Sequence, residues 1–423
     1  MPSRRSFAAG LGATVLAACR PGKSELLATP PAPADPIDAL APLPDPPPPI
    51  DAAARRARVA SAQRRLRDAG LAAVVLEPGP SLDYYQGVSW WTSERPFYAV
   101  IPAAGDVAFV CPGFEEARAR ELITLTDDVR VWQEDESPYA LLAGLLRDRG
   151  IATGRIAIEE QVRFFVSDGL RAALPAAELV PATAVVTADR LRKAPAELAL
   201  MQRAHDITVA AFRAVMPLLA PGMSQSEAAR LFTRAQVRLG GSDPWALVLF
   251  GEASAFPHGS TAPRRLREGD VVLMDVGCDF RGYQSDITRT TVVGTPTARQ
   301  RDIWALERRA QDAAFAAAQP GATCDSVDAA ARKVITDAGF GPDYAVPGLP
   351  HRTGHGIGMQ GHEPPYIVRG NTTRLEPGMC FSIEPTIAIY GEFGVRLEDC
   401  VVMTEQGPRS FAPRMPEIGR LFA

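Results

Sequence analysis

The sequence lacks any apolar stretch of the roughly 20 residues that a membrane-spanning helix requires. It also lacks an excess of basic residues, since the 423-residue chain has a formal net charge of -4 at pH 7 and a pI of about 5.9. Bulk electrostatic attraction to nucleic acid is therefore excluded. Hydrophobic residues make up 46% of the chain, which is typical of a globular protein with a real core, and the length predicts two domains.

Cysteine is scarce, and no C-x-x-C pair occurs. The six cysteines are Cys19, Cys111, Cys278, Cys324, Cys380 and Cys400. If Cys19 carries a lipid, as argued next, an odd number remains, which argues against a disulfide framework even in an oxidising compartment. We expect the others to be buried as small hydrophobic side chains.

Residues 1–18 are typical of an export signal rather than of a folded element. Arg4 and Arg5 form a twin-arginine pair, and a weakly apolar run follows from Phe7 to Ala18. The run ends in Leu-Ala-Ala-Cys, which resembles a lipoprotein processing box with Cys19 as the lipidated residue. This pattern predicts twin-arginine export and a lipid anchor on the periplasmic side of a bacterial membrane. The alternative is an ordinary secretory signal with an incidental cysteine.

Residues 19–51 are predicted to form a proline-rich tether. Eleven prolines lie between positions 21 and 50, a composition that favours an extended, polyproline-like chain. A basic, helix-like stretch follows. Its arginines are Arg55, Arg56, Arg58, Arg64, Arg65 and Arg67. We expect them to form a solvated helix face, with contact to anionic lipid as the alternative.

Two folded domains are predicted, at 52–187 and 188–423. The first alternates apolar strands, such as LAAVVLE, FYAVI and RIAIE, with helical segments, which indicates an α/β domain. The second contains the same order of elements twice, a pair of helices followed by β-strands. These four helices are expected at about 195–216, 224–240, 297–319 and 325–339. The predicted class is α+β, with a rough two-fold symmetry in the second domain and a cleft between its halves.

The stretch from His351 to Pro365, HRTGHGIGMQGHEPP, contains a literal G-x-G-x-x-G. A dinucleotide-binding loop leaves a hydrophobic strand and opens a helix, because the helix N-terminus binds the pyrophosphate. Here a polar segment precedes the motif and HEPP follows it, so that interpretation is rejected. His355 lies four residues after His351, but the intervening glycine and the missing glutamate exclude a zinc-binding H-E-x-x-H helix. No G-x-S-x-G nucleophile elbow occurs in the sequence.

Histidine is also scarce. The five histidines are His205, His258, His351, His355 and His362. His205 lies within a predicted helix on the side of Met201 and Phe212, so we expect it to be a packing residue. The other four lie beside glycine or proline in strand-and-loop segments of the second domain, which makes them candidate functional residues.

Acidic residues interrupt apolar, strand-like segments of the second domain. Asp275 and Asp286 lie on the two arms of a predicted hairpin with a turn near 280–282, so they should be close neighbours. Glu384 in FSIEP and Glu398 in VRLED interrupt similar segments. Carboxylates gathered in an apolar sheet repel one another and lose solvation, so a positive group must hold them.

Two divalent cations would balance the charge of these four carboxylates. An oxygen-rich set with one histidine favours manganese, cobalt or iron over a thiolate-type zinc site. For any single carboxylate, the alternative is a salt bridge at a strand end, with Arg289 or Arg396 as the partner.

The motifs around these residues resemble those of the pita-bread metallopeptidases, and within them the Xaa-Pro aminopeptidases and prolidases. In chain order they are FPHGS around His258, DVG at Asp275, GYQSDITRT at Asp286, HRTGHGIG at His351 and His355, GHEPP at His362, SIEP at Glu384 and GVRLED at Glu398. The resemblance extends from about Ala52 to the C-terminus. It implies a creatinase/prolidase-like first domain and a catalytic pita-bread domain with a curved, mainly antiparallel sheet.

The resemblance also implies a dinuclear metal centre. Asp275 would bind one cation, His355 and Glu384 would bind the other, and Asp286 and Glu398 would bridge the pair. A water or hydroxide between the two ions would attack the scissile carbonyl, and Glu384 would carry its proton to the leaving nitrogen. Manganese is the favoured metal, with cobalt, iron or zinc as alternatives.

Four further residues receive roles from the resemblance. His362 would stabilise the tetrahedral intermediate, and His258 would bind substrate near the leaving side. His351 and Arg396 would shape the pocket for the residue after the scissile bond, where proline offers no N–H.

The sequence departs from the family pattern just after Glu384. Thr386 and Ala388 occupy positions where the family commonly has glycine and tyrosine. The wall of the pocket, and with it the selectivity for proline, is therefore expected to differ from the family pattern.

The predicted function is that of a dinuclear-metal aminopeptidase that hydrolyses the N-terminal Xaa-Pro bond of a peptide. The alternatives are an Xaa-Pro dipeptidase, a hydrolase of non-peptide amides or C–N bonds with the same fold, and a non-catalytic binding module. The expected partners are a peptide with proline in second position and a second copy of the chain in a homodimer. No nucleic-acid partner is expected, and the membrane is contacted only through the lipid anchor.

Overall fold

The computed structural model describes residues 35–151 and 153–422. The predicted export signal and Cys19 lie outside the described residues, and the proposals that depend on them stay predictions. Among the helices of the described ranges, none is both long and apolar enough to span a lipid bilayer.

The first domain is built on a six-stranded sheet. Its strands are β1 (Ala73–Leu76), β2 (Tyr98–Pro102), β3 (Ala108–Pro112), β4 (Val129–Trp132), β5 (Gly154–Ile158) and β6 (Ala177–Pro181). Their order is β4-β3-β2-β1-β5-β6, with β1 antiparallel to β2 and parallel to β5. Strands β1, β2 and β3 are buried along their whole length, which explains why their sequences are continuously apolar.

Helices pack on both faces of this sheet. They are α1 (Ala52–Asp68), α2 (Pro80–Gln86), α3 (Glu116–Leu122), α4 (Pro138–Asp148), α5 (Phe164–Ala173) and α6 (Val186–Arg190). Because side chains of a strand alternate between faces, Val74 and Leu76 join the core under α1, α2, α3 and α6, whereas Ala73 and Val75 face α4 and α5. The predicted domain boundary at 187/188 falls within α6.

The second domain contains two helix pairs, as the repeated order of elements predicts. The four helices are α7 (Pro195–Val215), α8 (Gln225–Arg238), α9 (Ala298–Ala317) and α10 (Cys324–Asp337). Helix α7 packs against α8, and α9 packs against α10. Capping boxes start α8 and α9, where the side chains of Ser224 and Thr297 accept backbone hydrogen bonds from Glu227 and Gln300.

The strands of the second domain pair antiparallel in three ladders. The first contains β7 (Ser242–Phe250), β8 (Val271–Phe280), β9 (Tyr283–Gln284) and β10 (Ile287–Val292). The second contains β11 (Gly354–Gly356), β12 (Glu363–Ile367), β13 (Cys380–Ile383), β16 (Asp399–Thr404) and β17 (Gly407–Ser410), and the third contains β14 (Thr386–Ile389) and β15 (Phe393–Arg396). The α+β class with a mainly antiparallel catalytic sheet is thereby confirmed.

Part of the predicted tether packs on the second domain. Ile37 is fully buried in the core formed by α7, α8 and their strands. Arg203 of α7 donates hydrogen bonds to the carbonyls of Pro44 and Asp45, at 2.7 and 2.6 Å. The compact body begins at Pro36, before the start of α1. The expectation of a free, extended tether is therefore wrong for 36–51. Backbone carbonyls of this segment accept hydrogen bonds from side chains of the folded body.

The arginines of α1 do not form a uniformly solvated face. Arg58 is only 10% exposed and lies 3.3 Å from the Glu197 carboxylate and 3.1 Å from the Tyr283 hydroxyl. Arg65 pairs with Asp189 of α6 at 2.6 Å. At these two positions the prediction of a solvated face is wrong, because α1 uses its charge to hold α6 and the second domain.

Two predictions about packing residues are confirmed. His205 is fully buried and stacks on the ring of Phe411 at 4.8 Å. The five cysteines of the described ranges are buried and free.

Candidate metal centre

The hairpin of β8 and β10 brings Asp275 and Asp286 together. Asp275 pairs with Thr288 across the hairpin, and Asp286 comes immediately before β10, whose first residue pairs with Val276. Burial, together with the charges of Glu398 and Asp275, raises the pKa of Asp286. Asp275 and Asp286 therefore lie close together, as their spacing about the turn predicts.

The second ladder supplies the other acidic groups. Glu384 follows the last residue of β13 and Glu398 precedes the first residue of β16, two strands that pair with each other. The backbone N–H of Glu398 donates to the Thr288 carbonyl at 3.1 Å, and the Thr288 hydroxyl donates to its carboxylate at 2.7 Å. Thr288 therefore joins the two ladders at the point where the carboxylates meet.

His355 lies on β11 at the centre of the carboxylate group. Its Nε2 is 3.0 Å from Glu384, 3.8 Å from Asp286 and 3.9 Å from Glu398. Ligand atoms of Asp286, His355 and Glu398 all lie within 4.8 Å of one another, and all three residues are buried. This is a group of hard oxygen donors and one imidazole, the donor set expected for manganese, iron or cobalt.

Three carboxylate oxygens in this group have no hydrogen-bond partner among the described residues. They are Asp275 Oδ1, Asp286 Oδ1 and Glu398 Oε1, all of them buried. A buried, unpaired carboxylate oxygen is strongly destabilising unless it binds a cation. The residues present therefore fit a centre for divalent metal ions.

The pKa shifts in the cluster are those of an anionic, buried site. Burial and the charges of its neighbours raise the pKa of Asp286 and of Glu398 well above their ordinary values. Burial also favours the neutral form of Glu384, but the charge of His355 lowers its pKa to about 2. Burial alone would lower the pKa of His355, yet Glu384 and Glu398 raise it to about 9. A proton on His355 thus occupies a place suited to a metal cation.

Among the described residues, arginine partners account for only one of the four carboxylates. Arg396 is 3% exposed and makes a close ion pair with Asp275, while its Nε donates to the Thr288 hydroxyl at 3.1 Å. Arg289 pairs instead with Asp399 at 2.7 Å. The salt-bridge alternative therefore holds for Asp275 alone.

A buried network behind the candidate metal ligands holds their strands. Gln311 of α9 donates to the carbonyls of Ile383 and Leu397, at 3.3 and 3.0 Å, and to Asp399 at 2.9 Å. These carbonyls belong to the residues immediately before Glu384 and Glu398. Reasoning from the sequence missed Gln311 and Asp399, although the acidic pair LED offered a signal: only one of its two carboxylates can face the cluster.

His362 stacks on His355, with ring centroids 3.7 Å apart and planes at 13°. Desolvation and the charge of His355 lower the pKa of His362 to about 4, so its ring is neutral near pH 7. The next residue, Glu363, is buried and accepts from Lys193 at 2.6 Å and from Arg190. This ion triad was not predicted, and it anchors the loop that carries His362.

His351 lies beside the residue that departs from the family pattern. Its Nε2 is 2.9 Å from the Thr386 hydroxyl, and its Nδ1 is 2.6 Å from the Arg352 carbonyl. A carbonyl can only accept, so Nδ1 carries the proton and Thr386 donates to Nε2. Burial lowers the pKa of His351, which agrees with a neutral ring.

His258 is exposed in the turn that precedes β8, where no hydrogen bond to its side chain is found among the described residues. Its neighbour Pro257 accepts a hydrogen bond from Arg396 at 3.2 Å through its carbonyl. His258 is therefore held near the centre by its backbone, with its ring free for a ligand.

The sequence and the fold were compared with known proteins. Residues 199–405 match metallopeptidase family M24, and residues 58–192 match the creatinase/prolidase N-terminal domain. The probable dipeptidase PepE of Mycobacterium tuberculosis is 38% identical over 368 residues, which cover 84% of this chain and 94% of the relative. The Xaa-Pro dipeptidase of Lactobacillus helveticus is 35% identical over 338 residues, which cover 78% of this chain and 90% of the relative.

A solved structure gives the same result. The crystal structure of dipeptidase PepE from Mycobacterium ulcerans aligns with a TM-score of 0.81 and 37% identity, covering 88% of this chain and 99% of that one. Together with the clustered carboxylates and histidine, these matches show that the chain belongs to metallopeptidase family M24.

Proposed function

We propose that this protein is an Xaa-Pro dipeptidase, which hydrolyses the bond between the first residue and proline in a dipeptide. The aminopeptidase activity predicted first is replaced by its alternative, because the similar proteins named above are dipeptidases. The observation that carries the proposal is the convergence of one histidine and four carboxylates with three unpartnered oxygens. The proposed ligands are Asp275, Asp286, His355, Glu384 and Glu398.

Divalent cations bound there would polarise the scissile carbonyl and lower the pKa of a water molecule. Glu384 is suited to move the proton of that water. Its carboxylate is ionised and 12% exposed, the Ser382 hydroxyl donates to it at 3.0 Å, and its N–H donates to the Thr353 carbonyl at 2.8 Å. We therefore propose that Glu384 accepts the proton and delivers it to the proline nitrogen.

His362 is suited to stabilise developing negative charge. Its ring is neutral and lies over His355, so an N–H can be directed at the carbonyl oxygen as that oxygen becomes anionic. The anchoring of Glu363 by Lys193 limits the movement of this loop. A donor fixed in advance costs little reorganisation when the charge forms.

The leaving proline and its carboxylate are proposed to lie near His258, His351 and Arg396. Arg396 supplies positive charge, and the exposed ring of His258 is free to donate a hydrogen bond. His351 shapes the wall with Nε2 occupied by Thr386. In a dipeptide, the proline that follows the scissile bond carries the free carboxylate, which would lie where these groups are gathered.

A comparison of peptide lengths tests the proposal. Purified protein supplied with Mn²⁺ should hydrolyse Ala-Pro faster than Ala-Pro-Ala, and Glu384→Gln should abolish both activities. Faster cleavage of the tripeptide would restore the aminopeptidase prediction. Failure to hydrolyse either peptide, with metal bound, would contradict any Xaa-Pro peptidase activity.

We also propose that the native metal is manganese and that the centre is filled before twin-arginine export, since that route carries folded proteins. Hard oxygen donors support manganese or iron over copper. Metal analysis of protein taken from the periplasm tests this: mainly zinc there would contradict it. The lipid anchor and the homodimer are likewise proposals from the sequence.

A further inference from the structure

A cavity of about 440 Å³ lies between the first domain and the loop that carries His362. One wall is formed by residues that follow β1, β5 and β6, and the other by residues 360–366. Loops at the carboxyl ends of parallel strands are where open α/β sheets bind ligands. The volume is within the range of small-molecule sites, roughly 300–1,000 Å³.

The cavity is adjacent to the candidate metal centre at His362. His362 forms part of its wall, and the ring of His362 stacks on the proposed ligand His355. The residues proposed for the proline side, His258, His351 and Arg396, do not line the cavity. A substrate held at the centre with its proline among those residues has only its first residue left to occupy the space beside His362.

The arginines of the cavity wall are already paired. Arg163 donates to Glu77 at 2.6 Å, and the Arg163 side chain is 29% exposed. Arg190 donates to Glu363 and to the Gln360 side chain, the latter at 3.0 Å. Terminal nitrogens of both cations are thus engaged by carboxylate or amide oxygens, although the Nε of each is buried without a hydrogen-bond partner among the described residues.

Two carboxylates of the same wall make no ion pair with a cation in the described part of the chain. Glu159 is hydrogen-bonded to the Ser81 hydroxyl, and Glu160 accepts from the Thr183 hydroxyl. Burial raises the pKa of Glu159 despite the charge of Arg190. The cavity is lined by two guanidinium groups and by four carboxylates, those of Glu77, Glu159, Glu160 and Glu363. Its formal charge is therefore negative. A cationic group entering it would favour the ionised form of Glu159 and be stabilised by it.

We propose that this cavity binds the side chain of the substrate's first residue and that Glu159 selects a basic side chain, lysine or arginine. The proposal rests on the proposed function. Glu159 directly follows β5 and Glu77 directly follows the parallel neighbour β1, so both carboxylates line the same edge of the sheet. The aliphatic part of the substrate side chain would pack on Val162, Val186 and Pro364 of the wall.

The test compares three dipeptides that differ only in the first side chain: Lys-Pro, norleucine-Pro and Ala-Pro. The wild-type protein should have a higher kcat/KM for Lys-Pro than for norleucine-Pro, which has a similar shape without the charge. Glu159→Gln should lower kcat/KM for Lys-Pro about tenfold and leave Ala-Pro within about twofold. The substitution is isosteric and its amide oxygen can still accept from Ser81.

Glu178→Gln is the matched control, since it removes one carboxylate from the same sheet at an exposed position of β6. This variant should leave kcat/KM unchanged for all three dipeptides. An equal loss of kcat/KM for Lys-Pro and Ala-Pro in Glu159→Gln would contradict the proposed role of Glu159. The same holds if the wild-type protein does not prefer Lys-Pro over norleucine-Pro. Ala-Pro turnover reports the proposed function separately, because that substrate has no charge to place in the cavity.

Discussion

The rings of His355 and His362 stack 3.7 Å apart, yet their pKa values move in opposite directions, to about 9 and about 4. His355 lies among carboxylates that hold a proton on it, whereas desolvation and the charge of His355 keep the proton off His362. A divalent cation would replace the proton on His355 and leave His362 neutral. In the proposed function, the pair would combine a metal ligand with a hydrogen-bond donor for the substrate.

Removing a carboxylate from the cluster should affect the metal-bound and metal-free proteins in opposite ways. In Glu398→Gln we expect metal affinity and activity to fall by more than about 100-fold, because a ligand is lost. The metal-free variant should be at least as stable as the metal-free wild type, since a buried carboxylate and its repulsion are removed. Metal content and urea unfolding with and without Mn²⁺ measure both effects.

Glu405→Gln, an exposed position after β16, is the control for Glu398→Gln. It should change neither metal content nor stability. A metal-free Glu398→Gln protein that unfolds more easily than the metal-free wild type would show that Glu398 is structural rather than a ligand.

The ion pair of Lys193 and Glu363 should matter for both stability and rate. Both side chains are nearly inaccessible, with exposures of 2% and 4%. Lys193→Met leaves Glu363 with Arg190 alone, and we expect a loss of about 3 kcal/mol in the free energy of unfolding. Because the loop of His362 is then less fixed, kcat should fall while metal content stays constant. Arg192→Met, which breaks an exposed pair with Glu376, should leave both values unchanged.

Thr386 should control the hydrogen bonding of His351. Thr386→Val keeps the shape of the side chain but removes the hydroxyl that donates to Nε2 at 2.9 Å. We expect KM for Ala-Pro to rise about three- to tenfold, since an unpaired buried nitrogen costs about 1 kcal/mol. Thr386→Ser should restore the wild-type KM. Nitrogen NMR shifts of the His351 ring should report the proton on Nδ1 in the wild type, and a proton on Nε2 would contradict the assignment.

Local signals in the sequence were sufficient for much of the fold and of the candidate site. The capping box of Ser224 placed the start of α8, and the spacing of Asp275 and Asp286 about a turn placed both on one hairpin. These features depend on residues close together in the chain. The likeness to a family supplied the roles that spacing alone could not.

Other features depend on residues far apart, and the sequence offered no local sign of them. Lys193 and Glu363 are 170 positions apart, and each alone resembles an ordinary surface charge. The burial of Ile37 was also missed, because a proline-rich composition predicts how a segment bends but not what it packs against. Tertiary partners decided both cases.

The buried His205 should make stability depend on pH between about 4 and 6.5. Burial lowers its pKa to about 4, whereas the unfolded chain binds a proton near the ordinary value of 6.5. The stabilisation is complete above 6.5 and is lost as the pH falls toward 4, because only the unfolded state gains the proton. The shift corresponds to about 3 kcal/mol. His205→Phe keeps the contact with Phe411 but cannot titrate, so metal-free variant protein should lose about 3 kcal/mol less than metal-free wild type between pH 7 and 4. Urea unfolding at both pH values measures this difference, and parallel losses in the two proteins would mean that folding does not lower the pKa of His205.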